Sequence, residues 1–198
     1  MGKLGFTSQT VSGGIPIFQQ AYENAQGGFA LDKTGLVDGQ VIPAGTVMGY
    51  DEATRKAKPL KVAVLHADAA NNAVEYQVKK GHIFAVGNYL AAAVGGAAYA
   101  ITEINTSNAD YDVLKVGTTL GVALTAADGV ILFQSSATGA DVAALNVAAR
   151  GLLYSEVTVA DNVTVSVTIR GTVYERRIPV VLPAVKSALP NIIFSQSY

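Results

Sequence analysis

The sequence predicts a mainly β protein: a β-barrel or β-sandwich with an extended N-terminal arm and one or two short helices. Apolar and polar residues alternate strictly from Val163 to Arg170, which is the pattern of a half-buried strand. From Asp38 onwards, Gly, Pro, Asn and Asp residues recur at intervals of roughly eight to twelve residues, as they do between the short strands of barrels and sandwiches. Half of the residues are hydrophobic and 15% are charged, so the chain can bury a core.

Residues 1–30 are predicted to form the extended arm. Isolated apolar residues lie there among Gly, Ser and Gln, without a period that would close a core. Scattered apolar anchors suit an extended contact with a partner better than they suit self-packing. A terminus that docks locally on its own domain is the alternative.

Residues 31–140 are predicted to form a barrel-like domain. Its first strands are VIPAGTVMGYD, residues 41–51, and KVAVLH, residues 61–66. Between and beside them lies a basic run that we interpret as a solvated hairpin, made of Arg55, Lys56, Lys58 and Lys61. Residues 88–101 are predicted to be a strand or a bent segment, because paired glycines interrupt an Ala-rich pattern.

Residues 141–198 are predicted to form a C-terminal β segment or a second small β domain. The segment 137–151 has helical Ala spacing, which predicts a short helix or a turn there. The alternating strand is predicted to turn near Arg170 and Gly171 and to return as a second strand, which makes a hairpin. Pro183 then begins a helical turn or two, and Asn191–Phe194 form a last short strand.

Composition excludes several classes of function. The formal net charge is -1, which does not favour binding to nucleic acid. The chain has no cysteine, so disulfides, thiolate zinc sites and a cysteine nucleophile are excluded. The 20 uncharged residues between His82 and Glu103 are interrupted by polar residues and glycines, and we expect no membrane partner. The N-terminus lacks the basic and apolar regions of a secretory signal, which indicates synthesis in a cytoplasm.

Residues with catalytic or metal-binding potential are few. The two histidines, His66 and His82, have no third ligand nearby in the sequence, and we interpret them as surface or strand-end residues. Asn108, Asp110 and Asp112 resemble the start of a calcium loop, but the Gly and Glu that such a loop needs are missing, so a polar turn is predicted. We therefore expect no enzymatic activity, no cofactor and no metal ion.

Two stretches resemble proteins from tailed bacteriophages. VTVSVTIRGTVYERRIP followed by ALPNIIF is similar to the C-terminal ends of head fibre or head decoration proteins of phages and prophages. IPAGTVMGYDEATRKAKPLKVAVLHADA followed by YQVKKGHIF resembles the core pattern of small decoration proteins, in which a strand, a charged turn and an apolar strand precede one more strand. The resemblance covers residues 38–90 and 150–196.

The resemblance implies a non-enzymatic accessory protein of the virion, bound to the outer surface of the capsid. Such proteins commonly form homotrimers that bridge neighbouring copies of the major capsid protein, and many use an N-terminal arm to hold the shell. The candidate capsid contacts in this chain are its isolated N-terminal apolar residues, Leu4, Phe6, Ile15, Ile17 and Phe18. The additional C-terminal hundred residues set the chain apart from the smallest decoration proteins.

Two other functions remain open at this point. A fibre module that binds a carbohydrate or a host surface is one, because β-sandwiches carry such sites on their loops; its tyrosines, however, are scattered along the chain. The main building block of a shell, tube or surface layer is the other. Self-assembly of the isolated chain into large particles would distinguish this last function from decoration.

Overall fold

A computed structural model describes residues 16–197 and confirms the mainly β class, with 41% of these residues in strands and 6% helical. The strands are β1 Phe18–Asn24, β2 Phe29–Leu31, β3 Val41–Ile42, β4 Val47–Asp51, β5 Lys56–Pro59, β6 Val62–Val64, β7 Glu75–Lys79, β8 Tyr89–Ala91, β9 Ala98–Asn105, β10 Tyr111–Val116, β11 Ile131–Ser135, β12 Gly151–Leu153, β13 Val157–Thr158, β14 Thr164–Val165, β15 Val167–Tyr174 and β16 Ile192–Ser195. Two single-turn 3₁₀ helices, Ala126–Asp128 and Glu175–Arg177, and one short α-helix, α1 Pro183–Ser187, complete the described elements.

The first sheet has the strand order β1-β15-β12-β4-β5-β2-β14, and β16 pairs with β15 in parallel. β14 and β15 stand near opposite ends of this order, yet only Ser166 separates them in the chain. β14 and β15 are therefore two halves of one bent strand. Together with β12, β4, β5 and β2 this bent strand forms a closed ring, so the sheet curls into a five-stranded barrel. The side chains that fill this barrel include Phe29, Ile42, Met48, Leu153 and Val167.

The alternating segment is a bent strand and not the predicted hairpin. β15 runs without interruption through Arg170 and Gly171, where a turn was predicted, so that prediction was wrong. Thr168 belongs to the polar face of the alternating pattern, yet it is fully buried and donates its hydroxyl hydrogen to Asn24 Oδ1 at 2.8 Å. Asn24 lies in β1, which pairs with β15, so this polar side chain contacts a neighbouring strand and not solvent.

The second sheet has the order β6-β11-β8-β9-β10-β7, with every neighbouring pair antiparallel. A bridge between Leu65 and Val78 joins the two edges, and the His66 N–H donates to Gln77 O at 2.8 Å. These contacts close the sheet into a second, six-stranded barrel, which leaves it without a long free edge. Its interior is apolar, with Tyr76, Leu90, Ile101, Leu114 and Leu132 among the fully buried side chains.

The C-terminal segment packs against the first sheet. α1 begins at Pro183 as predicted, because proline needs no hydrogen-bond acceptor for its nitrogen in the first helical turn. Val185 and Leu189 are buried against Val47, Leu60 and other residues of a third apolar cluster. The predicted last strand, Asn191–Phe194, is present as β16, which begins and ends one residue later, at Ile192 and Ser195.

The middle of the chain follows some predictions and departs from others. The segment 88–101 is a hairpin, since β8 and the start of β9 pair across a turn that contains Gly95 and Gly96. Residues 137–151 contain no helix; they form bends and isolated bridges up to the start of β12. Ala143 O in this segment accepts from the Gly95 N–H of the β8–β9 turn at 2.7 Å. Packing against that turn overrode the helical propensity of alanine.

Each of the two large sheets takes its strands from a different part of the sequence. The first sheet combines residues 18–59 with residues 151–195, whereas the second uses residues 62–135. The predicted units 31–140 and 141–198 therefore both contribute strands to the first sheet. Within the predicted arm, residues 16–30 contain β1 and the start of β2, and residues 1–15 lie outside the described part of the chain.

Candidate functional site

The predicted capsid contacts fall into two groups. Leu4, Phe6 and Ile15 lie outside the described residues. Ile17 and Phe18 are half-buried and pack against the third apolar cluster of the chain itself. In the isolated chain these last two side chains therefore anchor β1 to its own sheet.

The start of β1 is held by several specific contacts. The Phe18 ring stacks on Tyr154 with centroids 5.7 Å apart. Pro16 O accepts a hydrogen bond from Arg177 Nη1 at 2.8 Å, and Ile17 O accepts one from the Tyr174 N–H at 2.9 Å. These bonds fix where the described part of the chain enters the sheet.

The rest of β1 forms an open sheet edge. Most of its side chains are exposed, among them Tyr22 at 58%, and its pairing with β15 shifts register three times. Among residues 16–197 no strand pairs with its outer side. An edge of this kind offers free backbone N–H and C=O groups to another chain.

A polar cleft lies beside the β4–β5 hairpin. It has a volume of about 350 Å³ and combines an aromatic ring with groups of both charges, including Tyr50, Asp51, Lys58 and Arg150. The Arg150 guanidinium carbon lies 5.5 Å from the centroid of the Tyr50 ring. The Tyr50 ring is supported from behind by Phe29, at 4.5 Å between centroids.

Hydrogen bonds hold the carboxylate of this cleft in its charged form. Asp51 accepts from the Ala53 N–H at 2.8 Å and from the Thr54 hydroxyl at 3.0 Å. These bonds, with a smaller contribution from the charge of Arg150, lower the pKa of Asp51 from its usual value. The cleft can therefore present a fixed carboxylate, an aromatic face and cations to a polar ligand.

His82 is buried, although the sequence predicted a surface or strand-end position. Its side chain is 6% exposed, and its Nε2 lies 3.3 Å from Asp112 Oδ2. Asp112 also accepts from Lys80 Nζ at 2.6 Å. Burial lowers the pKa of His82, and the nearby Asp112 charge opposes that effect only in part. His66 is exposed and stacks on Tyr111 at 5.1 Å.

The polar turn predicted at residues 108–112 is limited to residues 108–110, because β10 begins at Tyr111 and includes Asp112. Asn108 Oδ1 accepts from the Asp110 N–H at 2.8 Å, while the Asp112 side chain points to Lys80 and His82. The three side chains thus do not converge on one point. Residues 16–197 contain no group of three or more His, Asp or Glu side chains that could hold a metal ion.

The polar cluster that sequence reasoning missed is centred on Lys61. This residue was predicted to belong to a solvated hairpin, which was wrong: its side chain is fully buried. Its Nζ donates to Asn88 Oδ1 at 2.7 Å and to Gly35 O. The signal was available in the sequence, because alternation along residues 61–65 puts Lys61 in phase with the buried Ala63 and Leu65.

Comparison with known proteins gives no relative. No family model, no curated protein and no solved structure matches this chain. Within residues 16–197, no helix has the length and apolar character needed to cross a bilayer.

Proposed function

We propose that this chain is a non-enzymatic decoration protein of a tailed-phage head, which binds the outer capsid surface and bridges neighbouring major capsid subunits. The observation that carries the proposal is the position of β1. It is an open edge strand, and the predicted anchors Leu4, Phe6 and Ile15 directly precede it in the chain. A partner can thus bind apolar side chains and an unpaired strand edge in one continuous contact.

The body of the protein suits this role. Two closed barrels leave few free strand edges and bury large apolar side chains, so the body is expected to keep its shape under load. The resemblance of residues 38–90 and 150–196 to decoration and head fibre proteins supports the same function. The proposed location is the outside of the virion, after synthesis in the cytoplasm of the bacterial host.

Binding to purified heads tests this function. The protein should co-sediment with expanded heads built from the cognate major capsid protein and should saturate at a fixed ratio to capsid subunits. It should not co-sediment with unexpanded proheads, because the bridging positions form on expansion. Failure to bind expanded heads at micromolar protein would overturn the proposal.

Paired variants test the part assigned to the N-terminal anchors. The double variant Leu4→Asp and Phe6→Asp should weaken head binding at least tenfold, since charged side chains cannot enter an apolar contact. Val37→Asp is the matched control, because Val37 is 54% exposed and lies in the loop between β2 and β3, outside the predicted arm. It should bind as the unmodified chain does. If all three proteins bound heads equally well, Leu4 and Phe6 would not be part of the capsid interface.

The cleft at Tyr50 and Arg150 favours a second candidate function, binding of a host-surface carbohydrate. An aromatic face beside charged and hydrogen-bonding groups is a common arrangement for sugars. A glycan array should then show hits that weaken for Arg150→Gln and persist for Arg170→Gln, an exposed arginine beside Tyr22. An array without hits would remove this function.

A further inference from the structure

Lys61 is a buried amine at the junction of the two sheets. It lies between the end of β5 and the start of β6, and its side chain is 0% exposed. Within residues 16–197 no carboxylate forms an ion pair with its Nζ. Burial disfavours the ammonium form, which lowers the pKa of Lys61 to about 8. At about pH 7.4 roughly a fifth of the amine is then neutral and nucleophilic.

The amine faces the side-chain amide of Asn88, which is itself 5% exposed. Lys61 Nζ lies 2.7 Å from Asn88 Oδ1, one bond from the amide carbon Cγ. The Ala85 N–H donates to the same Oδ1 at 2.9 Å, which identifies this atom as the oxygen and polarises the carbonyl group. Gly35 O accepts from both nitrogens, Lys61 Nζ and Asn88 Nδ2, the latter at 3.4 Å.

We propose that Lys61 and Asn88 condense into an intramolecular isopeptide bond. The lone pair of neutral Nζ attacks Cγ of Asn88, and the Nζ–Cγ bond forms as the Cγ–Nδ2 bond breaks. Nδ2 leaves as ammonia and carries the proton that Nζ gives up. No electron transfer and no second reactant is involved, so the step balances with the residues present.

The site favours this reaction by placement and by exclusion of water. A nucleophile held against its target reacts as if it were present at very high concentration, up to about 10⁵–10⁸ M in well-oriented systems. The Ala85 N–H stabilises negative charge on Oδ1 as the carbon becomes tetrahedral. Lys61 Nζ and Asn88 Nδ2, the groups that lose and gain the proton, both donate to Gly35 O. Because no carboxylate assists that transfer within the described residues, we expect slow maturation after folding.

The cross-link would tie two strands of the second barrel together. It joins the residue just before β6 to the residue just before β8, and the ring so closed contains β6 and β7. β6 and β8 are the two strands that flank β11 in the sheet. The covalent link would therefore hold the starts of β6 and β8 together independently of their hydrogen bonds to β11. This inference rests on the local geometry alone and holds or fails independently of the proposed function.

The mass of the full-length protein tests the proposal. Loss of ammonia lowers the intact mass by about 17 Da, and the fraction converted should rise on incubation at about pH 8.5, where the amine is mostly neutral. A succinimide at an asparagine loses the same mass, so tryptic mapping is needed. The expected product is one peptide pair joined through Lys61 and Asn88, with no cleavage after Lys61. Recovery of both residues only in unlinked peptides, after prolonged incubation, would overturn the proposal.

Variants locate the bond. Lys61→Met and Asn88→Ala should each keep the full mass calculated from sequence, whereas Lys79→Gln, which alters an exposed lysine on β7, should still lose ammonia. Loss of ammonia in Lys61→Met would place the reaction elsewhere and contradict the assignment. Masses are measured on denatured protein, so the result does not require the variants to be stable. The peptide map of the unmodified chain decides the matter even if both variants fail to fold.

Discussion

At the scale of single residues, buried polar groups distinguish this protein more than its apolar core does. Asp112 is buried with one cationic partner, Lys80, and one neutral neighbour, His82. Among the described residues His82 Nε2 has no hydrogen-bond partner, although it lies 3.3 Å from Asp112 Oδ2. His82 Nδ1 accepts from the Phe84 N–H at 3.2 Å, which requires the neutral ring. Protonation of the ring would break that bond and place a second charge in a buried site.

This arrangement predicts a loss of stability in mild acid. Burial lowers the pKa of His82 in the folded chain below the 6.5 of an unfolded histidine. Below pH 6.5 the unfolded chain therefore binds a proton that the folded chain does not, and the free energy of unfolding falls until the folded pKa is passed. Urea titrations between pH 7.5 and 5 should show a smaller decline for His82→Gln than for the unmodified chain.

His66→Gln is the matched control for that measurement. His66 is exposed and stacks on Tyr111, so its removal should leave the pH dependence unchanged. An identical decline in all three proteins would show that His82 is not the group responsible. The carboxylates whose pKa is lowered, such as Asp51, titrate below their usual value of 3.8 and act in a separate pH range.

The backbone around Gly151 is packed too closely to accept a side chain, which predicts a loss of stability on substitution. A Cβ at this position would lie 2.4 Å from Thr168 O, a backbone atom of the neighbouring strand that cannot move independently. Gly151→Ala should therefore cost about 2–4 kcal/mol of unfolding free energy, measured by chemical denaturation. Gly117→Ala, whose Cβ would meet its nearest neighbour at 3.7 Å, should change stability by less than about 0.5 kcal/mol. Equal losses of unfolding free energy in the two variants would contradict the close contact between position 151 and Thr168 O.

At the scale of elements, β10 shows how alternation separates core from surface. Leu114 and Val116 are buried in the second barrel, whereas Val113 and Lys115 are half-exposed on its outer side. Both faces carry apolar residues, and the inner face also carries Asp112, so hydrophobicity alone does not identify the inner face. The inward set is decided by pairing with β7 and β9, which places Leu114 opposite the buried Tyr76.

Truncation on the two faces of β10 should therefore differ sharply. Leu114→Ala removes a fully buried side chain and should destabilise the protein by about 2–5 kcal/mol. Val113→Ala, one residue away on the outer face, should cost less than about 1 kcal/mol. Thermal or urea unfolding of both variants checks the difference. Similar losses for the two would mean that the barrel interior is assigned to the wrong face.

At the scale of the whole molecule, local pattern predicted the strands but not their partners. The alternation of residues 163–170 located a strand correctly, yet the bend at Ser166 follows from pairing its two halves with β2 and β12. The bridge between Leu65 and Val78 closes a barrel through a contact that no local period reveals. Lys61 was misplaced because its charge was weighed above the alternation that puts it inside.

The oligomeric state is a property of the whole molecule, and exposed apolar side chains bear on it. Several apolar side chains are well exposed in the single chain, including Val94 and Ile193 at 62% each and Val86 at 60%. Assembly would remove such surface from water, and burial of apolar area is the main driving force of association. Together with the family resemblance, this exposure leads us to expect a homotrimer of the 20.4 kDa chain.

Sedimentation velocity over a range of concentrations measures that state directly. The expected result is a single species with three times the mass of the chain at micromolar protein and above, and dissociation on dilution if the exposed apolar side chains supply most of the contact. Ile193→Asp should weaken the trimer if β16 lies in the interface, and Val122→Asp, at an exposed valine of the second barrel, serves as its comparison. A species of 20.4 kDa at every concentration would contradict the trimer, whereas large closed particles would favour a shell-forming protein over a decoration protein.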